Sequence, residues 1–275
     1  MRPPLAIDEP TLRALERHET LAHAIPDRQV RDLGDALLLS DPVDPDVFWN
    51  RMASVRWPDA AAAFDARLAE AITLFGILDR RPHVWPSPAH NRPADLAARL
   101  VDHGFRDVGG GHLMILDDVD ACPPVRTGEP DPGVSIEVVR GTPDPGRPAL
   151  AAATVLAEAF EAAPGQVHDL AAGLARTLAD RRVALVIVRV DGRPVAVAKG
   201  TTFDGATYLS SIGTLIGFRG RHLAELATRT AVAHGRASGA RLAYLGVFSG
   251  NAPAIRLYER LGFTTIGDAP DLVLQ

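Results

Sequence analysis

The sequence predicts a mixed α/β fold, a twisted central sheet flanked by helices, and three observations carry that prediction. Segments with apolar residues at helical spacing alternate along the chain with short apolar runs of strand length. Two such runs, 183–190 and 194–202, are separated by Asp191-Gly192, the pair preferred in type I′ hairpin turns. Of the 275 residues, 47% are hydrophobic, enough for the core of one large domain or two ordinary ones.

In chain order, the spacing predicts helices over 9–24 and 45–52. A stronger helix covers 60–78, where Phe64, Leu68, Ala71, Ile72 and Phe75 form one stripe. A strand at 83–85, a helix at 94–102 and a strand at 111–116 follow. Residues 118–133 are acidic, proline-rich and without periodicity, which reads as a connector, semi-extended where the prolines fall. After it come a strand at 134–139, alanine-rich helices at 149–161 and 167–179, the hairpin, and a strand at 206–214. A helix over 219–237 turns Leu223, Leu226, Ala227, Thr230 and Ala231 to the sheet. A buried strand at 242–248, a short helix at 252–261 and an edge strand at 272–274 close the series.

This order divides the chain into a domain at 1–117, a linker at 118–133 and a second domain at 134–275. The two domains echo each other. In the first, a long helix and a strand lead to Asn91-Arg92-Pro93-Ala94, a short helix and His103-Gly104-Phe105. In the second, a long helix and a strand lead to Asn251-Ala252-Pro253-Ala254, a short helix and Leu261-Gly262-Phe263. The shared order reads as a duplication whose first copy is degenerate.

Composition excludes several classes. A net charge of −5 with scattered arginines argues against a nucleic-acid binder, which needs clustered cations. A single cysteine, Cys122, leaves no internal disulfide and suits a reducing cytoplasm. No stretch is apolar for long enough to cross a bilayer, and Met1-Arg2-Pro3-Pro4 leads into acidic residues, not a signal-peptide core. His83, His90, His103 and His112 follow no zinc spacing, so no metal is expected. The expectation is a cytoplasmic monomer or homodimer without nucleic-acid or membrane partners.

The most informative stretch is Phe218-Arg219-Gly220-Arg221-His222-Leu223-Ala224-Glu225-Leu226. A strand, a short basic turn and a helix start place several backbone N–H groups together at the positive end of a helix dipole. Such a turn suits a phosphate or diphosphate. Together with the tail Asn251-Ala252-Pro253-Ala254-Ile255-Arg256-Leu257-Tyr258-Glu259-Arg260-Leu261-Gly262-Phe263, it makes residues 134–275 resemble the GNAT superfamily of acyl-CoA-dependent N-acyltransferases. The turn is similar to the family's Arg/Gln-x-x-Gly-x-Gly/Ala, and the tail to its Asn-x-x-Ala-x-x-x-Tyr-x-x-x-Gly-Phe. The whole pattern looks like a tandem form with a worn, truncated first copy.

The resemblance implies a GNAT fold and transfer of an acetyl or other short acyl group from acyl-CoA to a primary amine of a small molecule. The amine would attack directly, through a tetrahedral intermediate. Acetyl-CoA is the implied co-substrate. Arg219, Gly220, Arg221, His222, Leu223 and Ala224 would hold its diphosphate. Ile212, Gly213 and Thr214, on a strand splayed at a bulge, would meet the pantetheine arm. Asn251 and Ala254 would complete that contact, although Asn251 equally suits a helix N-cap. Tyr258 would protonate the departing sulfur; Leu100 stands in its place in the first copy. His222 occupies a position where the family has glycine, so its imidazole points away from the diphosphate, bonds it or crowds it. The alternative is a non-catalytic scaffold or metabolite sensor with a compromised turn. Tyr208 and Ser210, read as sharing a face with Ile212, and Glu161 and His168 are open candidates for the base.

Overall fold

The computed structural model describes residues 6–125, 133–163 and 165–275. The elements in chain order are α1 (Glu9–Ala24), β1 (Gln29–Asp32), β2 (Leu37–Ser40), β3 (Arg51–Ala53), α2 (Ala61–Ile77), β4 (His83–Val84), α3 (Leu96–Asp102), β5 (Phe105–Asp107) and β6 (Gly111–Leu116). Then follow β7 (Val134–Val139), α4 (Gly146–Ala159), α5 (Gln166–Leu178), β8 (Val183–Val190), β9 (Arg193–Phe203), β10 (Ala206–Thr214), α6 (Leu223–Ala237), β11 (Leu242–Phe248), α7 (Ala252–Arg260), β12 (Thr264–Ala269) and β13 (Leu272–Leu274).

These elements form two compact units. The first runs to Met114 and includes 246–252 and 264–275; the second comprises 115–245 and 253–263. Segments 246–252 and 264–275, which the sequence order places with the C-terminal domain, thus make most of their contacts in the first unit.

In the first unit the strands run β1-β2-β3-β4-β13-β5, with β3 and β4 parallel and the other registered pairs antiparallel. Residues 272–274 are therefore not an edge strand: β13 lies between β4 and β5, with Leu272 and Val273 buried. Three residues carry too little periodicity to tell an edge from a centre. The stripe on α2 performs as read, with Phe64, Leu68, Ala71 and Phe75 buried against Trp57, Leu96, Leu100, Phe105 and Leu272. The helix expected over 45–52 does not form. Asp41 accepts from the N–H of Val43 and Asp44, Asp44 from Asp46, and Asp46 from Phe48. These local bonds compete with helical ones, so a single 3-10 turn (Val47–Trp49) and then β3 result.

In the second unit the order is β11-β10-β9-β8-β7, antiparallel except for β10 with β11. Asp191 and Gly192 take φ of 49° and 80°, the conformation that joins β8 to β9 as a tight hairpin. Helix α6 packs across β8, β9 and β10. A β-carbon on its Gly235 would lie 2.1 Å from Thr207 Oγ1, so the bare backbone lets helix and sheet touch. Within the connector, Val119–Ala121 forms a 3-10 turn whose Val119 N–H donates to the Arg241 carbonyl. Residues 126–132 of the connector lie outside the described residues. Each sheet mixes parallel and antiparallel pairs and is flanked by helices, the fold class read from the sequence. Among the described residues no helix is long and apolar enough to cross a membrane.

Candidate functional site

Strand β10 breaks step where the site begins. Its register with β9 is regular from Ala206 to Ser210, then slips before Gly213, with Ser211 in the left-handed region at φ 51°. One extra residue is therefore inserted, a bulge. On its other side the ladder to β11 covers only Ala206–Tyr208. The last six residues of β10 thus leave regular pairing on one edge and bulge on the other.

The bulge also exchanges the faces of the strand. Before it, Thr207 and Leu209 point to α6, since β-carbons built on Gly200 and Gly235 meet their side chains. After it, Gly213 points to α4, and a β-carbon there would lie 3.0 Å from Ala159 and 3.1 Å from Leu156. Ser210 and Tyr208 therefore face α4, while Ile212 and Thr214 face α6. The sequence reading that put Tyr208, Ser210 and Ile212 on one face is corrected by the inserted residue. Gly213 owes its missing side chain to the close approach of α4. The hydroxyls of Ser210 and Thr214 are enclosed and have no hydrogen-bond partner among the described residues. Each such group asks for a water or a ligand.

Beyond β10 the chain makes a 3-10 turn (Ile216–Phe218), then Arg219-Gly220-Arg221-His222, before α6 starts at Leu223. The helix foreseen from Arg219 thus gives its first turn to a loop. Gly220 and His222 both take positive φ, 78° and 58°. No side chain caps α6, and its first helical bond runs from Leu226 N–H to the His222 carbonyl at 2.9 Å. The N–H groups of Leu223, Ala224 and Glu225 have no helical acceptor and sit at the positive end of the dipole. Leu223 is buried and anchors this end, while Gly220, Arg221 and His222 are exposed.

Two contacts that sequence could not supply hold the loop. The Ile216 N–H donates to Glu158 Oε1 at 2.9 Å, and Arg219 Nη2 donates to the Ala159 carbonyl at 3.1 Å. Both partners belong to the last turn of α4, about sixty residues earlier, and no local pattern announces them. Arg221 lies over the Phe218 ring, 5.4 Å from its centroid. The His222 imidazole points outward, 75% exposed, and its Nδ1 is 3.2 Å from Glu225 Oε2. Glu225 Oε2 is also 3.4 Å from Arg260 Nη2 on α7.

That last pair joins the start of α6 to the helix that bears Tyr258. Tyr258 is 6% exposed, its ring 6.0 Å from that of Phe263, and burial pushes its phenol above the ordinary tyrosine value. The phenol therefore stays protonated at neutral pH, suited to donating a proton and not to taking one. Asn251 is exposed and immediately precedes α7, its N–H donating to the Phe248 carbonyl. Ala254 is half-buried in the first turn of α7. Glu161 and His168 are exposed. Among the described residues no group of three or more His, Cys, Asp or Glu is placed to hold a metal ion.

Residues 152–263 match the model of the GNAT acetyltransferase family. A mycothiol acetyltransferase of Corynebacterium glutamicum is 45% identical over 53 residues, 19% of this chain, and the match spans only 18% of that relative. Solved structures are alike over almost the whole chain. A GCN5-related N-acetyltransferase from Kribbella flavida has 24% identity and a TM-score of 0.72, over 95% of each chain. A tandem GNAT protein from the clavulanic acid biosynthesis pathway has 17% identity and a TM-score of 0.64, over 98% of this chain and 89% of that one. A GCN5-related N-acetyltransferase from Sphaerobacter thermophilus has 20% identity and a TM-score of 0.58, over 93% and 84%. At these identities the likeness to solved structures is one of fold.

Proposed function

We propose that this chain, whose residues 152–263 match the GNAT acetyltransferases, transfers an acetyl or other short acyl group from acyl-CoA to a primary amine of a small molecule. The observation that carries the reading is the convergence at the start of α6. An uncapped helix end, flanked by Arg219 and Arg221, follows a bulged strand and is tied by Glu225 and Arg260 to the helix of Tyr258.

The residues fit such a substrate. The N–H groups of Gly220 to Ala224 and the two guanidiniums would hold its diphosphate. The backbone of Ile212, Gly213 and Thr214, with the unpartnered Thr214 hydroxyl, would hold the arm. Transfer forms a carbon–nitrogen bond and breaks a carbon–sulfur bond. A backbone N–H of the bulged strand would stabilise charge on the acyl oxygen. Tyr258 would give its proton to the leaving sulfur and recover one from solvent, while the amine proton passes to water. His222 lies against Glu225 and away from the loop interior, so geometry gives no support to a turn blocked by its imidazole.

We further infer that the first unit is a degenerate copy. Its α2, β4 and α3 repeat the order of α6, β11 and α7, and Gly104 and Gly262 both end the short helix at φ near 90° (90° and 97°). Phe105 and Phe263, which follow, are both buried. Leu100 replaces Tyr258, and no arginine–glycine turn precedes α2.

The direct test is thiol release from acetyl-CoA with a panel of primary amines. Amine-dependent release is expected. No release for any amine, together with no acetyl-CoA binding at about high-micromolar levels, would favour the scaffold.

A further inference from the structure

We propose that the first unit contains a separate binding site for a small monocarboxylate, in a cleft between α1, the β1–β2 turn and the residue that follows β3. The cleft holds about 240 Å³ and is lined by Arg13, Arg17, Asp32, Ala36, Leu37 and Ser54 among others.

Ser54 is the anomaly that points to a ligand. It sits in the left-handed region at φ 54° although it carries a β-carbon, and it is only 7% exposed. Non-glycine residues are held in that region only where their surroundings force it, and such positions cluster at ligand sites. Its hydroxyl lines the cleft, is reached by solvent and makes no hydrogen bond to the described residues. A hydroxyl open to the cleft can bond a ligand that enters it.

The charges around Ser54 define that partner. Arg13 and Arg17 are four residues apart on α1 and so share a face. Arg17 is 3.3 Å from Asp32, but both side chains are more than half exposed, so the pair is weak and open to exchange. Arg13 has no acidic partner among the described residues. Two guanidiniums and one carboxylate leave one positive charge, which matches a monoanion. The planar guanidinium fork matches a carboxylate. Asp32 opposes a dianion such as phosphate. Ala36 and Leu37, both nearly fully buried, offer an apolar wall to a short alkyl chain. The cleft is smaller than the roughly 300 Å³ of the least drug-sized pockets, so the ligand has few carbons. All these residues belong to the first unit, so the proposal stands or falls independently of the acyltransferase reading.

Calorimetric titration of the full chain with propionate and butyrate, at ionic strength held constant with chloride, tests it. Saturable binding is expected, weakened about tenfold in Arg13→Gln through loss of the charged fork. Ser54→Gly is the second variant. Glycine accepts the left-handed backbone, so the melting temperature should rise while carboxylate affinity falls. The proposal is overturned if wild type shows no saturable binding up to about 50 mM, a ceiling beyond the millimolar range of weak specific sites. It is equally overturned if Arg13→Gln binds like wild type, or if phosphate binds as tightly as the carboxylates.

Discussion

Helices α2 and α6 are the long helices of the two units, and both start without a side-chain cap. In α2 the first helical bond runs from Phe64 N–H to the Ala60 carbonyl; in α6 it runs from Leu226 to His222, each at 2.9 Å. Each helix therefore begins with three N–H groups that have no helical acceptor. The difference lies in the charge set beside them. Asp59 precedes α2 and complements the positive end of its dipole. Arg219 and Arg221 precede α6 and add positive to positive. Helix α2 thus has an acid just before its start, whereas α6 has Glu225 within its first turn and two arginines before it, the start that we propose takes an anion from outside. The same contrast recurs in the short helices, where Leu100 is wholly buried and Tyr258 carries a hydroxyl into a similar place.

Tyr258 and Leu100 should break this comparison most sharply. Replacing Tyr258 by Phe should lower turnover by about 100-fold, the usual weight of a general acid, with acetyl-CoA affinity nearly intact. Leu100→Ala should instead destabilise the fold by about 2–5 kcal/mol, read by urea unfolding. Unchanged turnover in the Tyr258 variant would remove the phenol from the chemistry.

A smaller effect is expected at the turn. Arg221→Ala should weaken acetyl-CoA binding about tenfold by removing one charge-assisted contact. Binding unaltered by that change would show that backbone N–H groups alone hold the diphosphate.

His222→Gly should raise stability by about 1 kcal/mol, because glycine takes φ 58° without the β-carbon clash. Acetyl-CoA binding should stay equal or tighten. Weaker binding would make the imidazole a phosphate ligand and reverse its reading.

The smallest effect lies in the first unit, under acid. Burial alone would raise the Asp107 carboxyl, but the N–H groups of Gly109, Gly110 and Asp271 outweigh it and lower the value. Asp41 behaves likewise, with burial outweighed by N–H groups of Asp44 and Val43 and by Arg28. Both values lie below those of the unfolded chain, so their contribution is complete above about pH 4. It declines as pH falls through the folded values. Asp107→Asn should therefore flatten the loss of stability between about pH 4 and 2. An unaltered acid transition would remove Asp107 from that account.

Much of this architecture was legible because it is local. The stripe on α2, the Asp191-Gly192 turn and the Gly262 helix end are each written within a few residues. The basic turn and Tyr258 stood out as candidate chemistry for the same reason. What escaped depends on distance. Leu272–Leu274 joins strands nearly two hundred residues away, and Glu158 grips Ile216 across 58 positions. The bulge was foreseen from the family resemblance, but its consequence, Ile212 turned away from Ser210, needed the inserted residue to be located. Strands β1, β2, β5 and β12 went unread because each is short and lacks a clear period of two. The left-handed Ser54 has no sequence signal at all.

Acetyl-CoA titration followed by calorimetry tests the central claim most directly. One saturable site per chain is expected, its affinity falling as salt rises and lower in Arg221→Ala than in wild type. No heat at about millimolar acetyl-CoA, a level that reveals even weak sites, would contradict the assignment of the α6 start to a diphosphate.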